Sequence, residues 1–268
     1  MSDELPEHNG FKLGHIPPKG KPRFAAPVLA PLPKSDWQEF DATTDTHPVA
    51  IKDQNGKGAC NGFAAATSAE WARWLSGQTH VPLSGWFVYA ILCNGVDRGS
   101  NIGDALDLLS KTGTCKDGSV TYATINPRRL TAEARAEATN YRIEIGETLP
   151  DFASIMTAVQ FRRSGNFSIK AGPNFDASSL DAIGSDGVVG YSRGAGNHAV
   201  AFVPAAKKLA NGDWAIKFQN SWGTKWGRAG FAWFTERHIA GQSYFEAYSV
   251  VATTDTPDDA SNPPPVVA

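Results

Sequence analysis

The residue pattern of this chain changes character once, near its middle, and that change limits the fold more than any single motif. In the first half, "NGFAAATSAEWARWL" places Phe63, Thr67, Trp71, Trp74 and Leu75 near one face at helical spacing, with Ala-rich filling between them. "LSGWFVYAILCNG" and "IGDALDLLSKTG" read as further helices, the latter ending at a glycine, and "TAEARAEATNY" as a short fourth. In the second half, "GNFSIKAG", "DGVVGYS", "HAVAFVPAA", "GDWAIKFQNSW" and "GRAGFAWFT" are short, aromatic and β-branched, with Gly and Asn between them. They read as antiparallel strands. "KKLANGDWAIK" carries an Asn-Gly-Asp hairpin signal. Helices followed by strands predict an α+β protein of two lobes, with a cleft between them as the natural place for a site.

The flanks differ from this body. Residues 1–36 are rich in Pro, Gly and Lys and read as an extended arm. Residues 253–268 read as a disordered tail. Residues 37–252 form one continuous globular segment without a repeat or internal linker. Hydrophobic residues make up 41% of the chain and charged residues 19%, enough for a sizeable core. The net charge of −2 is spread without a basic block, which argues against nucleic-acid binding. No apolar run approaches membrane-spanning length. The start, "MSDELPEHNG", lacks the basic and apolar regions of a secretory signal. A cytoplasmic or virus-associated location is expected, and the oligomeric state stays open. Three cysteines, Cys60, Cys93 and Cys115, are too few for a disulfide scaffold. Cys93 and Cys115 are expected to be free.

Most free cysteines are small buried hydrophobes. Cys60 stands out by position, where the loop "DQNGKGAC" runs into a helix. Helix N-termini favour a thiolate, through the macrodipole and free N–H groups. Gly56 and Gly58 allow the loop to bend and approach a ligand. Gln54 lies six residues earlier and could donate to a developing oxyanion. Of the six histidines, His8 and His15 lie in the arm, His47 in the approach loop, and His80 and His238 in polar surroundings. Each reads as an ordinary surface residue. His198 differs, standing between a glycine loop and an apolar strand in "GAGNHAVAF". Asn220, in "FQNSWGTKWG", could hold the tautomer of that imidazole. No His/Cys/Asp cluster has metal-ligand spacing and no glycine loop matches a phosphate cradle, so neither metal nor cofactor is expected.

A Cys at a helix start, a His about 138 residues later and an Asn about 22 beyond it agree with the spacing of papain-like proteases. The chain resembles the papain family of cysteine peptidases over most of residues 45–240, most strongly in "NHAVAF" and "WAIKFQNSWGTKWGRAGF". The resemblance implies the two-lobed papain-like fold and a protein or peptide substrate. It makes Cys60 the nucleophile, His198 the general base and acid, and Asn220 the residue that orients the imidazole. Gln54, with the Cys60 N–H, would form the oxyanion hole, and Trp222 would cover the His–Asn bond. A substrate-facing strip falls at Gly99 and Ser100, and Ile102, Asn197 and Ala199 would line the specificity pocket. The resemblance also implies a thiolate–imidazolium pair formed before substrate arrives.

The chain departs from the family in three places. Lys57 stands where the family has a disulfide cysteine, and Asn61 where it has a Trp. The arm is short and Pro-rich instead of long and helical, and is expected to lie across the domain and to cover part of the cleft. Two other functions fit the same residues: a catalytically silent binding or structural protein of this fold, and an acyltransferase that passes the acyl group to an amine.

Overall fold

The computed structural model describes residues 4–8, 10–18, 20, 24–44, 47–172, 175, 185–194 and 197–252. The tail expected over 253–268 lies outside the described residues. Within the arm, β1 (Glu7–His8) and β2 (Phe11–Lys12) pair in an antiparallel hairpin. After β3 (Phe40–Asp41) the helices follow in order: α1 (Cys60–Leu75), α2 (Gly85–Cys93), α3 (Ile102–Lys111) and α4 (Ala132–Ala138). Then come β4 (Ile143–Thr148), α5 (Phe152–Gln160), β5 (Ser164–Ile169), β6 (His198–Lys208), β7 (Trp214–Gln219), β8 (Phe231–Thr235), α6 (Glu236–Ala240) and β9 (Ala247–Ala252). The order β4-β9-β5-β6-β7-β8, with β3 added on β6, makes one antiparallel sheet. A helical layer therefore meets an antiparallel sheet, as the change of residue pattern predicts.

Helix starts follow local chemistry. Ser84, Asn101 and Thr131 accept the N–H three residues on and begin α2, α3 and α4. Gly113, at φ +83°, lets the chain leave α3. The hairpin signal holds, since Leu209 and Asp213 close the β6–β7 turn around Gly212. The segment 186–192, expected to be a strand, contributes only a single bridge, from Val188 to Trp233. Gly187 takes φ +76° there, a conformation that ends a ladder before it starts. Conversely β4, β9 and α5 carry no strong periodic signal. β4 and β9 exist because they pair with each other, and β9 pairs in turn with β5.

Two apolar clusters dominate. One lies under the sheet and includes Phe152, Phe167, Phe218 and Phe234, with Phe167 and Phe234 stacked at 4.2 Å. The other joins α1 and α3 to β6 and β9, and contains Cys60, Ile102, Ala199 and Tyr248. That second cluster fixes the start of α1 against the start of β6. Cys93 and Cys115 are buried free thiols.

Helix α1 is buried on nearly all sides, so its one carboxylate must be neutralised. Glu70 binds Lys52 Nζ at 2.8 Å and His80 Nε2 at 2.9 Å, and accepts the Leu83 N–H at 2.8 Å. Removing one member of such a set strands the others. Glu70→Ala is expected to cost about 3–5 kcal/mol in urea unfolding. A loss below about 1 kcal/mol would mean that Lys52 and His80 find water in the native state.

Candidate active site

Cys60 is the first residue of α1. Its N-cap, Ala59, supplies no side-chain cap, so the first-turn N–H groups point to whatever lies ahead of the helix. The loop before it turns at Asn55 and Gly56, with φ +47° and +67°. Lys57 N–H closes the turn on Gln54 O at 3.0 Å. Gln54 is fully buried. Ser221 donates its hydroxyl to Gln54 Oε1 at 2.8 Å, and the amide Nε2 donates to Lys57 O of the same loop at 2.5 Å.

On the other side, β6 begins at His198, and Asn220 follows the end of β7, its neighbour in the sheet. His198 Nε2 and Asn220 Oδ1 are 2.8 Å apart. Asn220 Oδ1 also accepts the Ser221 N–H, so Nε2 of the ring is the donor and Nδ1 is left with its lone pair. Among the described residues Nδ1 has no hydrogen-bond partner. The indole of Trp222 lies 4.7 Å from the imidazole, and Phe175 meets it edge-on at 5.7 Å. Ala199, the next residue along, packs in one buried cluster with Cys60, and its backbone partly offsets the effect of burial on the thiol. The structure thus brings Cys60, His198, Asn220, Gln54, Ala199 and Trp222 to one place from three separate segments. Of the expected pocket residues, Ser100 and Asn197 bond the arm's backbone, while Ile102 and Ala199 pack together with Cys60.

The arm runs through the cleft. Ser100 N–H donates to Gly14 O at 2.9 Å, and Ile16 N–H donates to Ser100 O at 2.7 Å. His15 N–H donates to Asn197 O at 3.2 Å. The Gly14 backbone bears on the Cys60 thiol and partly offsets the effect of its burial, so the arm passes beside the nucleophile expected from the sequence. Gln54 Nε2 lies 3.3 Å from Lys12 O, so the expected oxyanion donor already has an arm carbonyl. Phe11 stacks on Trp222 at 4.7 Å. Asp97 ties the arm to the loop by binding Lys12 Nζ at 3.1 Å and the Gly58 N–H at 2.9 Å. Asn61, which the sequence shows only as a departure from the family, donates to Ser100 O at 2.8 Å and faces His15 Nδ1 at 3.3 Å.

Two expectations change. His15 is not an ordinary surface residue, because the arm carries it into the cleft, where it is 3% exposed. His238 is buried as well, accepting from the Thr235 N–H and bonding Val189 O in the turn of α6. Burial pushes the Cys60 thiol up to about 11 and the His198 imidazole down to about 4, and the Asn220 bond only partly offsets the latter.

These shifts set a pH window for closure. His15 and His198 both fall from 6.5 to about 4 on burial, so their contribution is complete above 6.5 and is lost as pH falls towards 4. Cys60 rises from 9.0 to about 11, so its contribution is complete below 9.0 and is lost as pH climbs towards 11. Closure is expected to be tightest near neutrality. Hydrogen exchange of residues 4–16, corrected for its intrinsic pH dependence, should show less protection at about pH 4.5 than at about pH 7.5. Equal protection would separate the arm from these titrations.

Comparison with known proteins gives a consistent picture. A family model described as papain family cysteine protease matches residues 34–252. Xylellain, a cysteine protease from Xylella fastidiosa, superposes with a TM-score of 0.67 at 19% identity, over 91% of this chain and 96% of that one. The bromelain protease from Ananas comosus, solved with the E64 inhibitor, gives 0.58 at 21% identity, over 77% and 94%. A recombinant stem bromelain precursor gives 0.64 at 21%, over 84% and 75%. At these identities the likeness is one of fold. No curated protein sequence matches the chain.

Proposed function

The chain belongs to the papain family of cysteine proteases, and from that premise we propose that it hydrolyses peptide bonds through Cys60, His198 and Asn220 by way of a thioester acyl-enzyme. The observation that carries the proposal is the 2.8 Å bond from His198 to Asn220 beside a helix-start cysteine that packs against Ala199, the residue after His198. With Nε2 holding its proton against Asn220, Nδ1 is the free base.

With the arm displaced, water and substrate reach the site, and the desolvation that holds both groups neutral is relieved. The thiol passes its proton to His198 Nδ1 and the thiolate attacks a peptide carbonyl carbon. The oxyanion takes the position that Lys12 O now holds at Gln54 Nε2, with the Cys60 N–H as second donor. His198 returns the proton to the leaving amine as the C–N bond breaks, and an acyl thioester remains on Cys60. Water, deprotonated by the same imidazole, then attacks the thioester carbon. The acid leaves and the thiol is restored.

The arm makes the full chain a latent form in this reading. The contacts of Gly14, His15 and Lys12 support that, because they engage the nucleophile, the pocket and the oxyanion donor together. The test is to quench a reaction with an activated peptide ester in acid and to map the mass increment. An added acyl group on the peptide containing Cys60, labile to hydroxylamine, is the expected result. Turnover without any such adduct, or an adduct elsewhere, would sink the thioester route.

A further inference from the structure

The loop that leads into Cys60 and the strip at Gly99 and Ser100 come from distant parts of the chain, and one carboxylate joins them. Asp97 Oδ1 accepts the N–H of Gly58, two residues before Cys60, at 2.9 Å. The same oxygen accepts the Tyr89 hydroxyl of α2 at 2.6 Å. The Tyr89 oxygen in turn accepts the Gly99 N–H at 3.1 Å. Three hydrogen bonds in series thus run from Gly58 to Gly99. Tyr89 is buried and packs with Phe63, Trp86 and Cys93, so its hydroxyl is held in place. The fit around these atoms is close, since a Cβ at Gly58 would stand 3.2 Å from the Tyr89 oxygen and 3.3 Å from Asp97 Oδ1. No covalent bridge holds the loop, because all three cysteines are free thiols.

Asp97 serves this series as an anion. Burial alone would raise its pKa, but the Tyr89 hydroxyl, the Gly58 N–H and the Lys12 ammonium together hold it below the usual carboxylate range. Its second oxygen, Oδ2, binds Lys12 Nζ of the arm at 3.1 Å. The arm therefore uses one oxygen and the two loops share the other, so departure of the arm leaves the Gly58 and Tyr89 bonds in place. We propose that Asp97 is a positioning residue of the peptidase site, acting on Gly58 directly and on Gly99 by way of Tyr89 to fix the nucleophile loop against the substrate-facing strip. The proposal rests on the reading of Cys60 as nucleophile. Attack needs the sulphur, the Cys60 N–H and a substrate backbone on the strip to be in register, and a misplacement of about 1 Å at such a centre costs about a hundredfold in rate. Asn61 makes a separate link, to Ser100 O at 2.8 Å, so loss of Asp97 loosens the strip without releasing it.

The test measures kcat and KM for a tripeptide p-nitrophenyl ester in full-length Gly14→Val, where the new side chain overlaps the Gly58 backbone and displaces the arm. Asp97→Ala, Asp97→Asn and Tyr89→Phe are introduced singly into that chain. Asp97→Ala is expected to lower kcat about tenfold. Asp97→Asn keeps an acceptor oxygen for Gly58 and Tyr89 and should recover most of the loss, to within about threefold of Gly14→Val alone. Tyr89→Phe keeps the packed ring and takes the acceptor from Gly99 only, so KM should rise at least about threefold while kcat changes less than about twofold. A merely structural role lowers the fraction of active protein, which reduces kcat and cannot raise KM. An unchanged kcat in Asp97→Ala, an equal loss in Asp97→Ala and Asp97→Asn, or an unchanged KM in Tyr89→Phe overturns the proposal while leaving the peptidase reading in place. The Tyr89→Phe result decides the matter even if Asp97→Ala does not fold. No turnover by Gly14→Val itself overturns the peptidase reading and the proposal with it.

Discussion

Gly14→Val raises the rate at which iodoacetamide labels Cys60 at neutral pH by at least about tenfold. The reason is local and steric. A Cβ at Gly14 would overlap the carbonyl oxygen, the carbonyl carbon and the Cα of Gly58, all of them backbone. A flexible side chain could rotate away from such a contact, but a loop pinned by Asp97 to its Gly58 N–H cannot. The reverse face is equally close, since a Cβ at Gly99 would overlap Gly14 O. Overpacking of this kind costs about 1–3 kcal/mol, and about 1.4 kcal/mol is a tenfold change in the closed–open ratio. The cost falls on the closed state alone, because residue 14 meets Gly58 only when the arm is in the cleft. Intact-mass analysis of labelled protein gives the rate, and Cys93 and Cys115, buried elsewhere, serve as internal controls. An unchanged rate would show that the arm does not guard the thiol.

In that opened background, His198→Ala lowers kcat/KM for a peptide substrate by at least about 10³-fold, the scale seen when one member of a concerted catalytic set is removed. In the proposed mechanism His198 supplies both proton transfers of the acyl-enzyme cycle. Its loss also removes the cation that would hold Cys60 as a thiolate below the ordinary thiol range. The alkylation profile of Cys60 against pH should therefore move towards that of an unassisted thiol, a signature that a merely structural role would not produce. Asn220→Ala is expected to be milder, about ten- to a hundredfold, because the ring keeps Trp222 and Phe175 against it and loses only its tautomer partner. Activity retained in His198→Ala would move the base to another residue and undo the assignment.

The residues proposed to do the chemistry could be picked out from the chain because each sits in a locally recognisable frame. Cys60 follows a glycine turn and opens an Ala-rich helical run, His198 opens an apolar strand, and Asn220 ends another. The sheet edge strands were harder to see. β4, with the mixed sequence "IEIGET", has no clean alternation, and its place is set by pairing with β9, about a hundred residues away. His15 and Glu246 were invisible for the same reason. Nothing near His15 says that it will be buried, and nothing near Glu246 says that a helix start at Gly103, 143 residues away, will fix one of its oxygens.

Sequence by itself determined the fold class, the family and the identity of the residues expected to do chemistry, since hydrophobic period, glycine placement and motif spacing are local properties of the chain. Only the tertiary structure decided that the arm threads the cleft, that Gly14 and Ile16 pair with Ser100, and that His15 is carried beside the buried Glu246. Those features depend on which distant backbones pack within hydrogen-bonding reach. That proximity is fixed by the summed burial of two apolar clusters, and no short stretch of residues encodes it.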